Sequence, residues 1–384
     1  MDFSNLSYLS VTGGIEGTIK NSPEDFMVEE IGSDGTVFEI SKEITRADED
    51  GDYTCFVMQK REWTTEGAIR RIAKELRVSR KRFSYAGNKD KLAVTTQLVS
   101  AFRVEKDKIL SLNLRDIGIN GAWKSREKVS LGGLLGNRFT VNVANPEKNS
   151  NTVNGIYDEL GGRFPNYFGE QRFGTTRKNT HMVGEFIVRG RPDRAALAFL
   201  CDTRGEIHEN AGAAREKLRE TLDFSAAVRE FPKHLRLERS MLVHLEKNPN
   251  DYAGALRRLP RGTLLMFVHA FQSYIFNRLL SDRIAEGEVK PEEGERVSRF
   301  IEGKIIGYET ETNERERKIL EELEIKTKDF KIKNMPEISS KGGFRALFAP
   351  LNDFSFSGNT FRFSLPAGSY ATVALREFLD VKKS

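Results

Sequence analysis

The chain has 384 residues, 38 % hydrophobic and 30 % charged, with 61 basic against 56 acidic residues and a formal net charge of +5. That composition excludes a disordered or fibrous protein, and at roughly 100–200 residues per domain it predicts two or three domains with sizeable cores. Cys55 and Cys201 are the only cysteines and no Cys/His cluster exists, so neither a disulfide scaffold nor a zinc site is indicated; apolar runs such as AALAFLC (195–201) are far below the roughly 18 residues of a membrane span, and MDFSNLSYLS lacks the marks of a signal peptide, so a cytoplasmic protein without membrane contact is expected.

In chain order, the first 175 residues are rich in strand signals and glycine. EGTIK (16–20), FMVEEI (26–31), CFVMQK (55–60), TTQLVSAFRV (95–104) and RFTVNV (138–143) carry β-branched and aromatic residues in short runs and are predicted strands. Between them TTEGAIRRIAKELRV (64–78) is a predicted helix. Ile69, Ile72, Ala73 and Leu76 form one apolar stripe, Thr64 or Thr65 can cap it, and the other face carries Arg70, Arg71, Lys74 and Arg77. From about 190 to 345 the pattern turns helical. Pro192 opens RPDRAALAFLCD, and Phe267, Ala270, Phe271, Tyr274 and Ile275 keep helical spacing up to a stop at Gly287. TNERERKILEELEI (312–325) reads as a solvated helix. The end returns to strand, FSFSGNTFRFSLP (354–366) with Gly358-Asn359 as a two-residue turn, before a short helix ATVALREFL. Strands, helices, then strands predict an α+β domain interrupted by a mainly helical insertion.

Four stretches carry possible chemistry. In YAGNKDKLAVTTQ (85–97) the acid Asp90 stands between Lys89 and Lys91. Such a loop is good turn chemistry and most acids of this kind only solvate it. Flanking cations, however, favour the ionised carboxylate that a nucleophile or base needs. Lys60 to Lys91 also holds eleven basic and four acidic residues, a one-signed excess suited to a phosphate backbone. PNYFGEQRFG (165–174) packs three aromatics into ten residues. It is either a buried turn or a platform, with Phe168 stacking on an unpaired base and Asn166 bonding its edge. In LPAGSYATVALREFL (365–379), Ser369 reads as a helix cap and Arg376 as a core or RNA partner. In IKNSPEDFMVEE (19–30), Lys20 reads as a surface cation. No HExxH, GxSxG, GxxxxGK[ST] or GxGxxG pattern offers a rival catalyst.

Taken together and in this order, IKNSPEDFMVEE, AGNKDKLAVTTQ, PNYFGEQRFG and LPAGSYATVALRE resemble the signatures of the TruD family of pseudouridine synthases, and HAFQSYIFN (269–277) is similar to a family stretch within the insertion. The resemblance implies an α+β pseudouridine-synthase catalytic domain with a mixed, largely antiparallel sheet over 1–175 and 346–384. A largely helical insertion domain over 176–345 would interrupt it, with RNA taken in the cleft. It implies isomerisation of uridine to pseudouridine in tRNA, at position 13, with no metal, nucleotide or redox cofactor. Asp90 corresponds to the catalytic aspartate, Lys20 to a basic residue near it, Phe168 to the aromatic that stacks on the target base, and Asn166 to a substrate-contacting asparagine. Arg70, Arg71 and Lys89 are the candidate substrate-binding cations. A monomer is expected, since no coiled-coil heptad is present. The competing classes are a non-catalytic RNA-binding protein that keeps the cleft, and a methyltransferase, which would need a glycine-rich loop that the sequence lacks.

Overall fold

The computed structural model describes residues 3–144, 150–287 and 289–380. These divide into two units: Leu9–Phe164 with the residues from Ala349 onward, and Pro165–Phe348 with the residues up to Tyr8.

The first unit is built on a sheet of eight strands: β1 (Phe26–Gly32), β2 (Tyr53–Arg61), β3 (Phe83–Tyr85), β4 (Val94–Phe102), β5 (Ile117–Ser125), β6 (Leu134–Asn142), β7 (Asn352–Ser357) and β8 (Thr360–Pro366). The order across the sheet is β7-β8-β6-β1-β4-β2-β5, and β3 pairs with the far end of β4. The β1–β4 pair is parallel and the other pairs are antiparallel, so the sheet is mixed and largely antiparallel as expected. Residues 352–366 return to this sheet, which makes the unit discontinuous in sequence. The β7–β8 hairpin turns at Gly358-Asn359, where Gly358 has a φ of 64°, a region open to glycine without steric cost.

Helix α1 (Thr65–Glu75) buries Ala68, Ile69, Ile72 and Ala73 against Phe56, Phe83 and Val99 of the sheet. Thr64 caps it by accepting from the Gly67 N–H at 3.0 Å. One predicted strand is not formed. Of EGTIK only Glu16 lies in a strand, Ile15–Glu16, which pairs with Leu379–Asp380, and Thr18 makes an isolated bridge to Ala144. Beyond that strand Gly17 lies against Val143 where a Cβ would fall 2.2 Å from that side chain, and Lys20 takes a left-handed backbone with a φ of 65°.

The second unit is mainly helical. Its core gathers Val183, Ile187, Leu200, Met241, Leu245, Phe267, Phe271 and Ile275 around the long helix α2 (Arg261–Ala285). The helix Thr180–Val188 crosses α2 closely: a methyl group at Gly184 would lie 2.0 Å from the Phe267 carbonyl oxygen. Glu314–Glu322 is helical, with Ile319 and Leu320 buried, and a small three-stranded sheet joins Arg296–Val297, Ile301–Ile305 and Gly343–Ala346. Residues 165–175, grouped by sequence with the strand-rich part, lie in this helical unit, because the Phe168 ring and main chain are anchored on α2.

Candidate active site

Asp90 lies on the loop between β3 and β4, and the main chain of this loop is held at four points. The Gly132 N–H donates to the Ala86 carbonyl at 2.8 Å. The Gln97 amide donates to the Gly87 carbonyl at 3.0 Å. The Lys89 N–H donates to the Thr65 hydroxyl at 2.9 Å, and that hydroxyl donates on to Gln97 at 2.8 Å. Lys60 Nζ donates to the Asp90 carbonyl itself at 2.7 Å. Strand β2, helix α1, strand β4 and the turn before β6 thus each contribute one anchor. Such support fixes a reactive group before substrate arrives.

The Asp90 carboxylate is half-exposed and accepts from Lys20 Nζ at 2.8 Å. The Lys20 ammonium also stands 4.1 Å from the centroid of the buried Phe26 ring, where cation and ring quadrupole attract. The left-handed backbone at Lys20 costs about 1–2 kcal/mol in a non-glycine residue. Strain of this kind, kept beside a paired carboxylate, is common where geometry serves function.

Lys89 has a different place from the expected one. Its side chain is 5 % exposed and forms an ion pair at 2.6 Å with Glu30 of β1, itself 1 % exposed. Glu30 in turn accepts the Leu98 N–H at 3.0 Å. A carboxylate buried between strands needs a counter-charge, so Lys89 turns inward and offers no cation to a substrate. Arg70 and Arg71 do lie on the outer face of α1, but each has an acidic neighbour one turn away, Glu66 at 2.9 Å and Glu75 at 2.9 Å. Arg80 also bonds Glu66 and holds its carboxyl below the usual range. Arg70 stays exposed all the same, as do Lys74, Arg77, Lys81, Arg82 and Lys91.

A second constellation stands in the helical unit. The Phe168 ring is half-buried, with the Arg345 guanidinium 4.1 Å from its centroid and Phe276 edge-on at 5.6 Å. Asn277 of α2 fixes the main chain on both sides: its amide oxygen accepts the Phe168 N–H at 2.8 Å and its amide nitrogen donates to the Phe168 carbonyl at 2.9 Å. Asn166 is buried. It donates to the Ala346 carbonyl at 3.0 Å and accepts from Arg345 at 2.7 Å, so its amide orients the guanidinium that covers Phe168.

Lys60, Arg345 and Asn277 escape the sequence reading. The alternation along β2 did hold a signal for Lys60. Met58 and Lys60 are fully buried while Gln59 and Arg61 are not, so period-two placement puts this lysine inside. Nothing local marks Arg345, which lies 177 residues after Phe168 (345 minus 168).

The folded chain is an α+β protein whose sheet domain presents a paired carboxylate on a rigid loop. Comparison with known proteins makes this specific. The family model tRNA pseudouridine synthase D (TruD) matches residues 3–304 and 291–378. A protein of Methanosarcina barkeri named probable tRNA pseudouridine synthase D is 35 % identical over 97 % of this chain and 95 % of its own length. One of Methanopyrus kandleri with the same name is 40 % identical over 86 % of each. The crystal structure of the chain assigned as tRNA pseudouridine synthase D (TruD) in Methanosarcina mazei superposes with a TM-score of 0.76 at 34 % identity, covering 98 % of this chain and 96 % of that one. The chain therefore belongs to the TruD family of tRNA pseudouridine synthases, isomerases that convert uridine to pseudouridine in tRNA.

Proposed function

We propose that the target is uridine 13 of tRNA and that Asp90 is the catalytic carboxylate. The observation that carries this reading is the Lys20–Asp90 pair on a loop anchored at four main-chain points. The N1–C1′ glycosidic bond breaks, the uracil turns, and C5 bonds to C1′; the C5 hydrogen leaves to solvent and N1 takes up a proton. A carboxylate serves this sequence by attack at C1′ or C6, or by taking the C2′ proton. Each route uses the ionised form, and the Lys20 ammonium pairs with that carboxylate at 2.8 Å.

Phe168 is the ring that stacks on the target base, and Arg345, Asn277 and Asn166 keep that ring and its main chain in place. The discontinuous sheet unit serves as the catalytic domain and the helical unit as the family's insertion domain. The reaction needs no redox or metal chemistry, because bond breaking and making are internal to one nucleotide. The enzyme acts as a cytoplasmic monomer.

The test is tritium release from tRNA labelled at uracil C5, comparing native protein with Asp90→Asn, followed by mapping of the modified nucleotide. Release by the native protein alone, with tRNA affinity kept in both, is the expected result. Release by Asp90→Asn at the native rate would remove Asp90 from the chemistry. Modification at another position would leave the carboxylate in place and change the target.

A further inference from the structure

The helical unit pairs many of its surface cations with acids. Lys217 bonds Glu230 at 2.5 Å, Arg278 bonds Glu322 at 2.8 Å, and Arg315 bonds Glu286 at 2.7 Å. One cleft of about 440 Å³ departs from that habit. Its walls carry Arg239, Lys247 and Arg258 with Ser240, His244 and Asn248, and no Asp or Glu lines it among the described residues. Ser240, His244 and Lys247 follow one another at helical spacing on one face of the helix Arg236–Lys247. Among the described residues none of the three cations makes an ion pair.

An exposed lysine is ordinarily a solvated, mobile charge, and Lys247 alone is no more than that. The two arginines are held. Arg239 donates to the Val228 carbonyl at 2.7 Å and to the Phe231 carbonyl at 2.8 Å, at the C-terminal end of the helix Phe224–Glu230. Arg258 donates from Nε and Nη2 to Nδ1 of His244, at 3.2 and 3.1 Å. A guanidinium only donates, so this Nδ1 accepts and the imidazole is neutral with its proton on Nε2. That proton goes to the Asp251 carboxylate at 2.8 Å, and Asp251 also accepts the Gly254 N–H at 2.8 Å. The His244 side chain is only 10 % exposed. Asp251, His244 and Arg258 thus form a chain that ends in a fixed guanidinium, with the acid on the far nitrogen of the ring. Three cations around one opening repel one another, and ordering their side chains costs entropy. An anion with several oxygens offsets both, and a guanidinium fork matches a phosphate in particular.

We propose that this cleft is a second tRNA contact of the enzyme, which takes phosphates of the RNA backbone and not the target base. This rests on tRNA as the substrate, and not on Asp90 or on position 13. No Phe, Tyr or Trp lines the cleft, so it offers a base no ring to stack on. Ser240 and Asn248 add neutral hydrogen-bonding groups beside the cations. Contacts of this kind set orientation and affinity without reading sequence.

The experiment measures affinity for full-length tRNA against salt concentration, with kcat and KM for pseudouridine formation and Tm for each protein. The test variant is Lys247→Ala with Arg258→Ala. The control is Lys217→Ala with Arg219→Ala, which removes the same two charges from cations of the same unit that already have acidic partners. The test variant should bind about tenfold or more weakly, with a salt slope flatter by about one to two units. Its KM should rise with kcat kept, as when uniform binding is lost. The control should stay within about threefold of native. His244→Phe removes no charge, yet it should cost about threefold or more in affinity, because Arg258 is no longer aimed. Equal losses in the two double variants would overturn the proposal, since net charge alone would then explain them. A test variant within about threefold of native, or one that loses kcat at unchanged KM, would overturn it as well. If His244→Phe does not fold, the two double variants decide alone. Native protein that neither binds nor modifies tRNA would instead remove the substrate itself, an outcome separate from any difference among the variants.

Discussion

Phe168 and His181 show how differently two rings of the helical unit are used. Phe168 keeps part of its surface open under Arg345, whereas His181 is buried, stacked on Tyr274 at 5.2 Å and edge-on to Phe173 at 5.4 Å. Phe168→Ala should slow pseudouridine formation by the loss of stacking worth about 1–3 kcal/mol, measured under single turnover with tRNA saturated by enzyme. An unchanged rate would return the ring to a packing role. His181 has its pKa driven down to about 3, first by burial and then by nearby positive charge. Its unfolded counterpart takes a proton near pH 6.5, so between these values the unfolded state binds the extra proton. Stability is therefore fully present above pH 6.5 and is lost as pH falls below it, by about 2 kcal/mol at pH 5 from this one group. Urea unfolding at pH 7 and pH 5 should show that loss in native protein and less of it in His181→Leu; equal losses in both would assign the acid sensitivity elsewhere.

At the scale of elements, helix α1 shows what a charge pattern in sequence can and cannot tell. The apolar stripe and the cap at Thr64 follow from spacing alone, because a helix brings residues three and four apart onto one face. The net excess of cations also follows from counting. Which cations have an acidic partner does not, since Arg70, Arg71 and Arg80 bond Glu66 and Glu75, while Lys74, Arg77 and Lys81 make no ion pair among the described residues. Replacing Lys74 and Arg77 by Glu should therefore flatten the salt dependence of tRNA affinity, by about one unit of slope for each phosphate that no longer meets a cation. The same change at Arg70 and Arg71 should do less, because their acidic neighbours already screen them. Equal effects from the two pairs, read from affinity against salt concentration, would show that the helix pairs open when RNA binds.

At the scale of the whole molecule, each unit has its own buried core: Phe56, Ile69, Val99 and Ile117 in the sheet unit, and Leu200, Leu245, Phe271 and Ile275 in the helical unit. Both tryptophans, Trp63 and Trp123, belong to the sheet unit, while most of the helix signal comes from the other. Phe271→Ala should cost about 3–5 kcal/mol by leaving a cavity beside Phe330 and Tyr274. That loss should lower the unfolding midpoint seen by circular dichroism at 222 nm more than the midpoint seen by tryptophan fluorescence. Coincident shifts would mean that the two cores melt as one.

From sequence alone came the order of strands, helices and strands, the Gly358-Asn359 hairpin, α1 with its cap, and the Asp90 loop as a place of interest. These depend on local periodicity and turn chemistry, which act over a few residues. EGTIK failed as a strand for a reason outside that range: Gly17 packs against Val143, and Lys20 takes a left-handed backbone with its ammonium on Asp90. The partners of each charge were decided only in the folded chain. Lys20 and Lys60 meet Asp90 across 70 and 30 residues, and Asn166 meets Arg345 across 179. Lys89, next to Asp90 in sequence, turns the other way onto Glu30. Strand register and helix docking set these meetings, and no local pattern encodes them, because adjacent residues of an extended chain point to opposite sides and only the tertiary packing says which side holds the acid.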